Sequence, residues 1–416
     1  MSLKRFGTST LKSVDSRKIV SAAKSIAGAN ASASEIWRIL HRELSPSQPF
    51  DVHKKCYDEV YSGIDDIKPA WIPSKECLEN TNIFQMLRTK GFSSYEQFYE
   101  WSIGSKSQDE FWMESANRIM IDWETSPSAA FETGDDVAHV TYFPNGRLNI
   151  SDSIFNKRNP MEPALIYSTE CAPRILREMT FQTLDSLSNQ LANAIVNKLK
   201  LKPGDAVGIC MPMTPESVAI YLGIIKAGCV VVSIADSFSP DEIATRCRIS
   251  NAKAIFTQDV IYRGKKILPL FQRVLSADQI VQESEKESMD PIRIVVLPGM
   301  LHANSYPDAS KDDEGSTWTD KDSEGKNVLI HDSVLSSMRE DHDVSWYTFL
   351  DSSSKEHVSV KRSSMDPCNI LFSSGTTGEP KAIVWSHSTP IKVRMLSAKT
   401  TFENLLLFLY ESKNIL

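Results

Sequence analysis

The sequence lacks the features of several common protein classes. Its formal net charge is −7, whereas a domain that binds nucleic acid usually carries a basic surface. No apolar run approaches the roughly 20 residues that a membrane-spanning helix needs. The seven cysteines lie far apart without a C-x-x-C pair, which argues against a zinc ribbon or a disulfide framework and favours a reducing compartment. We therefore predict neither a nucleic-acid partner nor a membrane span.

Patterns of metal ligands and catalytic groups are missing as well. No cluster of His, Cys and Asp has the spacing of metal ligands, so we predict no metal held by protein side chains. His387 follows a glycine-rich block, but no carboxylate or nucleophile is paired with it in the sequence. We interpret it as a structural histidine, and the sequence therefore indicates no certain catalytic residue.

The composition is that of a globular chain. Its residues are 41% hydrophobic and 24% charged, which is typical of a globular protein. Its length of 416 residues predicts two or three domains. Residues 1–80 alternate helical patterns with turns and predict a helical extension, in which SASEIWRILHREL forms a helix capped by Ser32 or Ser34. The basic, Ser-rich first thirty residues resemble a transit peptide, although a first surface helix over SRKIVSAAKSIAGA is the better interpretation.

Two further domains are predicted beyond the helical extension. Residues 81–165 are rich in aromatic side chains at helical spacing, which favours core packing over an aromatic binding site. Residues 166–390 alternate helices such as TFQTLDSLSNQLANAIVNKL with apolar strands such as AVGICM and CVVVSI. This βαβ pattern predicts an α/β fold with a parallel sheet covered by helices on both faces. Residues 303–330 predict a loop insertion, and residues 391–416 a divergent tail.

A glycine-rich block, ILFSSGTTGEPKAIVW, lies between two β-forming runs. Its glycines allow close backbone approach, its hydroxyls and backbone N–H groups can donate to an anion, and a lysine adds positive charge at the rim. The sequence around it fits neither a Walker A loop nor G-x-G-x-x-G. A flexible Ser/Gly connector is the alternative to a phosphate site. The candidate phosphate-binding residues are Ser373, Ser374, Gly375, Thr376, Thr377, Gly378 and Lys381.

Several segments together resemble a known family. SSGTTGEPK is similar to the phosphate-loop signature of the adenylate-forming superfamily, which includes the acyl-CoA synthetases. FPNGRLNISDSIFNKR, LKPGDAVGICMPMTPESVAIYLGIIKAG and FSPDEIATRC are similar, in the same order, to its acetyl-CoA-synthetase branch. YEQFYEWSIGSKSQDEFWMES resembles the N-terminal cap of that branch. With its helical extension, the chain is similar to plant peroxisomal acyl-activating enzymes.

The resemblance implies a two-step ligase with the N-terminal α/β domain of adenylate-forming enzymes. A carboxylic acid would react with ATP, which brings Mg²⁺, to give an acyl-adenylate, and coenzyme A would then displace AMP. The residues of the glycine-rich block would hold the β- and γ-phosphates. Arg263 and Lys266 in IYRGKKILPL match a basic pair that contacts coenzyme A phosphates in this branch, and a solvated basic turn is the alternative.

Some parts of the family pattern are not found in these 416 residues. They include the adenine motif Tyr-Gly-x-Thr-Glu, the ribose motif Thr-Gly-Asp and the small C-terminal domain with its catalytic lysine. We therefore expect a shortened form with little ligase activity, or a non-catalytic form that binds nucleotide or pairs with a full-length relative. The resemblance implies a peroxisomal location, but the chain ends Asn414, Ile415, Leu416 rather than in a Ser-Lys-Leu-like tripeptide, so a cytoplasmic location is the alternative.

Overall fold

A computed structural model describes the greater part of the chain. The described residues are 16–45, 47–65, 68–134, 140–169, 172–263, 266–285, 289–299, 330, 332–374 and 378–396. The predicted loop insertion, except for residue 330, and the predicted tail after residue 396 lie outside them. The chain forms two compact units, Met1–Ser93 and Ser94–Leu416. The domain boundaries predicted at residues 80 and 165 stay predictions.

The first unit is helical around a core of its own. Its helices are α1 (Ser16–Ala27), α2 (Ala33–Glu43), α3 (Phe50–Val60), α4 (Lys75–Glu79) and α5 (Asn82–Lys90). Helix α2 begins at a capping box, in which the Ser32 hydroxyl accepts the Glu35 N–H and the Glu35 carboxylate accepts the Ser32 N–H. Its buried residues Ile36, Trp37 and Leu40 face α1 and α3. The predicted helix is confirmed, with Ser32 as its cap.

The second unit contains both helices and strands. Its helices are α6 (Tyr95–Ile103), α7 (Gln108–Arg118), α8 (Asp152–Phe155), α9 (Phe181–Asn197), α10 (Pro215–Lys226), α11 (Pro240–Ser250), α12 (Leu270–Ser284), α13 (Asp332–Leu335), α14 (Trp346–Leu350) and α15 (Ser388–Leu396). Its strands before the central sheet are β1 (Trp123–Thr125), β2 (Phe131–Thr133), β3 (Val140–Tyr142), β4 (Arg147–Leu148), β5 (Pro163–Thr169) and β6 (Ala172–Thr180). The remaining strands are β7 (Ala206–Cys210), β8 (Val230–Ile234), β9 (Ala252–Gln258), β10 (Ile261–Arg263), β11 (Lys266–Leu268), β12 (Arg293–Leu297), β13 (Val344–Ser345), β14 (Arg362–Ser363), β15 (Pro367–Ser373) and β16 (Lys381–Ser386).

Seven strands of the described chain form the central sheet in the order β13-β12-β9-β7-β8-β15-β16. Neighbours are parallel from β13 to β15, as the βαβ pattern predicts. The last strand, β16, runs antiparallel to β15, so the sheet is mixed rather than wholly parallel. The reason is the short connection between these two strands, since a parallel crossover needs a dozen or more residues.

Helix α9 buries its predicted apolar face in the core of the second unit and packs against α10. The predicted core residues of this segment are all buried, namely Phe181, Leu184, Leu187, Leu191, Ile195 and Leu199. Helix α10 comes close to it at Gly223, where an added Cβ would lie 2.7 Å from the Leu191 Cβ and 3.0 Å from the Ser188 carbonyl oxygen. A side chain at this position would therefore separate the two helices.

Aromatic residues of α6 and α7 pack on one another, as the spacing predicts, but Tyr95 and Tyr99 of α6 are exposed and lie outside the core. The rings of Trp101 and Phe111 are perpendicular with centroids 5.5 Å apart, and Phe98 lies 5.9 Å from Phe111. Edge-to-face contacts of this kind stabilise a core.

Among the described residues, none of the helices has the length and apolar character needed to cross a membrane.

Candidate functional site

The glycine-rich block covers most of strands β15 and β16, which pair as the last two strands of the central sheet, and the residues that connect them. Strand β15 lies beside β8, with Asn369 opposite Val231, and runs parallel to it. The segment that connects β15 to β16 therefore follows the carboxyl end of a parallel strand, where α/β proteins commonly bind ligands. Strand pairing places Ser373 opposite Lys381, so the hairpin closes at these two residues. Both ends of the candidate phosphate loop, residues 373–381, are thus held by the sheet.

The structure locates some of the predicted phosphate-binding residues. Ser373 is half-buried at the end of β15, while Ser374 and Lys381 are exposed. Gly378 has φ of +99°, in the left-handed region, and among the described residues no atom outside its chain neighbours lies within 4 Å of where its Cβ would be. Glycine is therefore favoured there by backbone conformation rather than by lack of space. Gly375, Thr376 and Thr377 lie outside the described residues, and their predicted role stays a prediction.

An ion pair that sequence reasoning missed contacts this loop. The Arg248 guanidinium, in the last turn of α11, donates from Nη2 to Oε1 of Glu379 over 2.7 Å. A carboxylate inside a loop expected to bind an anion needs a counter-charge, and this was the signal available in the sequence. The partner itself was not predictable, because it lies 131 residues away along the chain.

A second arginine of α11 lies near the other arm of the loop. The Arg246 guanidinium carbon lies 3.9 Å from the centroid of the Phe238 ring and 5.5 Å from that of Phe372, the residue before Ser373. Burial lowers the pKa of Arg246. Such stacking on aromatic faces suits a guanidinium that is largely removed from water.

The predicted coenzyme A residues are brought together by the β10–β11 hairpin. Arg263 and Lys266 are cross-strand partners, so the hairpin presents two cations side by side. The Arg263 Nη2 atom also lies 3.0 Å and 2.9 Å from the two carboxylate oxygens of Asp236. A phosphate at Arg263 would share the guanidinium with this carboxylate, which the sequence did not indicate. The coenzyme A assignment stays a prediction.

His387 is buried, with 1% of its surface exposed. Its Nδ1 accepts the backbone N–H of Ile150 over 3.2 Å, which places the ring proton on Nε2. Burial, reinforced by the positive charge of Arg362, lowers the pKa of His387 to about 4. The ring is therefore neutral near pH 7 and joins β16 to the segment after β4. These contacts support the structural interpretation of this histidine.

The architecture and the loop together define a class. A sheet of mostly parallel strands between helices, with a Ser/Thr/Gly-rich turn and a lysine after one strand, is typical of α/β proteins that bind a phosphorylated ligand. The family follows from the sequence matches. Residues 154–405 match the family described as AMP-binding enzyme, and residues 95–153 match the acetyl-coenzyme A synthetase N-terminus. The chain belongs to the AMP-binding enzyme family, in its acyl-CoA-synthetase branch, as the resemblance predicted.

Curated relatives show the same relationship over most of the chain. A probable acyl-activating enzyme 17, peroxisomal, of Arabidopsis thaliana is 32% identical over 91% of this chain and 49% of its own length. A hexanoyl-CoA synthase of Cannabis sativa is 31% identical over 89% and 48%. An acetyl-coenzyme A synthetase of Penicillium chrysogenum is 28% identical over 76% and 41%. The chain spans about half the length of the curated relatives it matches.

A solved structure confirms the fold class. The acetoacetyl-CoA synthetase from Streptomyces lividans superimposes with a TM-score of 0.61 at 22% sequence identity. The match covers 78% of this chain and 44% of that one. At this identity the likeness establishes the shared α/β fold and nothing finer.

Proposed function

We propose that this protein is an acyl-CoA-synthetase-type protein whose candidate phosphate loop binds the triphosphate of ATP. In the complete reaction a carboxylate oxygen attacks the α-phosphorus, pyrophosphate leaves, and an acyl-adenylate forms. The thiol of coenzyme A then attacks the acyl carbon and AMP leaves. The observation that carries the proposal is the hairpin closed at Ser373 and Lys381 after a parallel strand, within the segment that matches the AMP-binding enzyme family.

Each loop group has a defined part in this proposal. The Lys381 ammonium and the hydroxyls of Ser373 and Ser374 donate to oxygens of the β- and γ-phosphates. Gly378 gives the backbone the left-handed conformation that lets the loop turn back toward β16. Because pyrophosphate gains negative charge as it leaves, these donors stabilise the leaving group as well as the bound ATP.

Mg²⁺ and coenzyme A complete the set of expected ligands. Among the described parts of the chain, no group of three or more His, Cys, Asp and Glu side chains is placed to hold a metal ion. We propose that Mg²⁺ arrives bound to ATP, where phosphate oxygens are its preferred ligands. We further propose that Arg263 and Lys266 bind a phosphate group of coenzyme A, with Asp236 orienting Arg263.

These 416 residues contain only part of the sequence pattern that the full reaction needs. Its matches span about half of each curated relative, and its sequence does not contain the adenine, ribose and catalytic-lysine motifs implied by the family resemblance. A phosphate loop contributes positioning, whereas most transition-state stabilisation comes from the groups around the reacting atoms. We therefore propose that this polypeptide binds ATP but has little ligase activity alone.

Calorimetric titration of Mg-ATP tests the phosphate loop. Lys381→Met should raise the dissociation constant about tenfold or more, since a hydrogen bond to a charged group contributes about 1.5–3 kcal/mol. Lys355→Met is the matched control, because Lys355 is also exposed but lies outside the loop. Equal affinities for wild type and Lys381→Met would refute the assignment of this lysine. Absence of ATP binding by folded wild-type protein would refute the proposed function.

Exchange of labelled pyrophosphate into ATP tests the activity of this chain. The panel of carboxylates should include acetate and hexanoate, because two relatives are named for those acyl groups. Little exchange together with retained ATP binding supports the low-activity proposal, and it also fits the alternative of a non-catalytic form. Restoration of exchange by an added full-length relative would favour pairing between the two chains. Robust exchange by the chain alone would show that it is catalytic.

We also propose a peroxisomal location, because the Arabidopsis relative carries that word in its name. A fluorescent protein fused to the N-terminus, so that the C-terminus stays free, should colocalise with a peroxisomal marker. A diffuse signal would favour the cytoplasm.

A further inference from the structure

The candidate phosphate loop contains a negative charge that opposes its proposed ligand. Glu379 lies between Gly378 and Pro380, two residues before the proposed phosphate-binding Lys381. Its side chain is 73% exposed, so it is not removed from the loop surface by burial. An ionised carboxylate this close to a bound triphosphate repels it. Binding of a polyanion therefore requires that the charge of Glu379 be neutralised or directed away.

Arg248 provides that neutralisation from a fixed position. Its Nη2 lies 2.7 Å from the Glu379 Oε1, and its own side chain is 35% exposed. The backbone around Arg248 is held by the end of α11, where Asn251 adopts a left-handed conformation and donates its N–H to the Arg248 and Cys247 carbonyls. Strand β9 begins at the next residue, Ala252. The guanidinium thus extends from the last turn of α11, directly before the chain enters β9.

Helix α11 contacts both arms of the loop through different chemistry. Arg246 lies against Phe372, just before the loop leaves β15, while Arg248 pairs with Glu379 just before the chain enters β16. The contact with Phe372 is largely buried, so it fixes the helix against the strand. The ion pair then attaches the second arm of the loop, residues 378–380, to the same helix.

We propose that Arg248 is a positioning residue for polyphosphate binding, acting through Glu379 and not by contact with the ligand. Resting on the proposed function, this inference adds a residue of α11 to the determinants of ATP affinity. Arg248 holds the second arm of the loop and cancels the charge of Glu379, so that the loop presents a net positive charge from Lys381. Without Arg248, the unpaired Glu379 opposes the triphosphate.

A double-mutant cycle measured by titration with Mg-ATP and with tripolyphosphate tests this role. Arg248→Gln should weaken both ligands about fivefold, the upper range for an exposed ion pair. Glu379→Gln should bind nearly as well as wild type, because the amide oxygen can still accept a hydrogen bond from Arg248. The double variant should return to within about twofold of wild type, because removing the carboxylate removes the repulsion.

The double variant separates positioning from direct binding. If Arg248 itself contacted phosphate, the double variant would bind as weakly as Arg248→Gln, and that result would overturn the inference. An unchanged affinity for Arg248→Gln would overturn it as well. Arg147→Gln is the matched control, because Arg147 forms an exposed 3.0 Å pair with Glu124 on the sheet of β1, β4 and β14. This control should leave both affinities unchanged.

Amide hydrogen exchange without ligand tests the positioning role separately from ATP binding. Peptides covering residues 378–386 should exchange faster in Arg248→Gln than in wild type, and the charge-swapped pair Arg248→Glu with Glu379→Arg should restore slow exchange. If wild-type protein bound no ATP, the proposed function would fail. The exchange measurement needs no ATP, so it would still show whether Arg248 holds the second arm of the loop. Unchanged exchange in Arg248→Gln would overturn the inference.

Discussion

Two buried polar side chains, those of His387 and Asn149, connect the end of strand β16 to distant parts of the second unit. His387 directly follows β16, and its ring accepts an N–H from Ile150 inside the protein. Asn149 lies beside Ile150 and donates to the carbonyl oxygens of Ile225 and Val360, at 2.7 Å and 2.9 Å. These two side chains connect strand β16, helix α10 and the segment before β14. A buried polar group of this kind is stabilising only while its partners remain in place.

Titration of His387 should make the protein sensitive to mild acid. Its pKa is lowered from the usual 6.5 to about 4 in the folded chain, chiefly because burial disfavours the charged ring. Between these values the unfolded chain binds more protons than the folded one, so stability is fully present above pH 6.5 and declines as pH falls toward 4. The contribution of His387 should therefore decrease by about 2 kcal/mol from pH 7 to pH 5.

Urea unfolding of wild type and His387→Asn at both pH values checks this prediction. The asparagine oxygen can accept the Ile150 N–H in place of Nδ1 and does not titrate. The variant should therefore lose about 2 kcal/mol less stability than wild type between pH 7 and pH 5. His342→Asn is the control, because that ring is hydrogen-bonded to the Pro291 carbonyl and is partly exposed. Parallel losses in wild type and His387→Asn would show that His387 does not carry the effect.

At the scale of helices and strands, local sequence signals predicted helices α2 and α9 and strands β7 and β8 correctly. The spacing of apolar residues in the sequence identifies the buried face of α9. Helix α11 begins with a capping box formed by Ser239 and Glu242, and both residues are found in the segment FSPDEIATRC. Strands β7 and β8 are continuous apolar runs because both their faces are covered. These signals are local, since each depends on residues within about one helical turn or one strand.

Contacts between distant elements were not predictable in the same way. The antiparallel direction of β16 depends on the length of the connection, and the pairing of Arg248 with Glu379 depends on where α11 ends relative to β15. The pairing of Arg263 with Asp236 likewise joins the end of β8 to a later hairpin. Residue types show that these groups are charged, whereas only the folded sheet order shows which opposite charges meet.

The contact between α9 and α10 gives a prediction that opposes helix propensity. Alanine is favoured over glycine inside a helix by about 1 kcal/mol. At Gly223, however, the added methyl would lie 2.7 Å from the Leu191 Cβ and 3.0 Å from the Ser188 carbonyl oxygen. Overpacking of this kind costs about 1–3 kcal/mol, so Gly223→Ala should be destabilised by about 1 kcal/mol overall.

Urea denaturation of Gly223→Ala and wild type measures whether the cost of overpacking exceeds the gain in helix propensity. Gly134→Ala is the control, because no described atom outside its chain neighbours lies within 4 Å of its added Cβ, and it should change stability by less than about 0.5 kcal/mol. A stabilised Gly223→Ala variant would show that the helices separate without cost and that propensity dominates.

At the scale of the whole molecule, the described part of the central sheet ends in a strand, β16, whose first four residues are exposed. Among the described residues β16 is the last strand of the sheet, and it pairs only with β15. Ile383 and Val384 point to opposite faces, yet they are 45% and 55% exposed. An exposed apolar edge strand can pair with another chain through its free backbone groups. This geometry favours association between chains through β16.

Self-association through β16 should therefore respond to a charge placed on this edge. Val384→Lys should lower the association seen by sedimentation velocity over a concentration series, because a lysine on an edge strand disfavours strand pairing between chains. Val358→Lys is the matched control: Val358 is 88% exposed but lies outside any strand, so the same change of charge and apolar surface leaves the edge intact. Equal effects of the two variants would indicate that net charge, rather than the β16 edge, governs association. Circular dichroism melting should confirm that Val384→Lys keeps the wild-type unfolding transition, since otherwise partial unfolding would itself raise association.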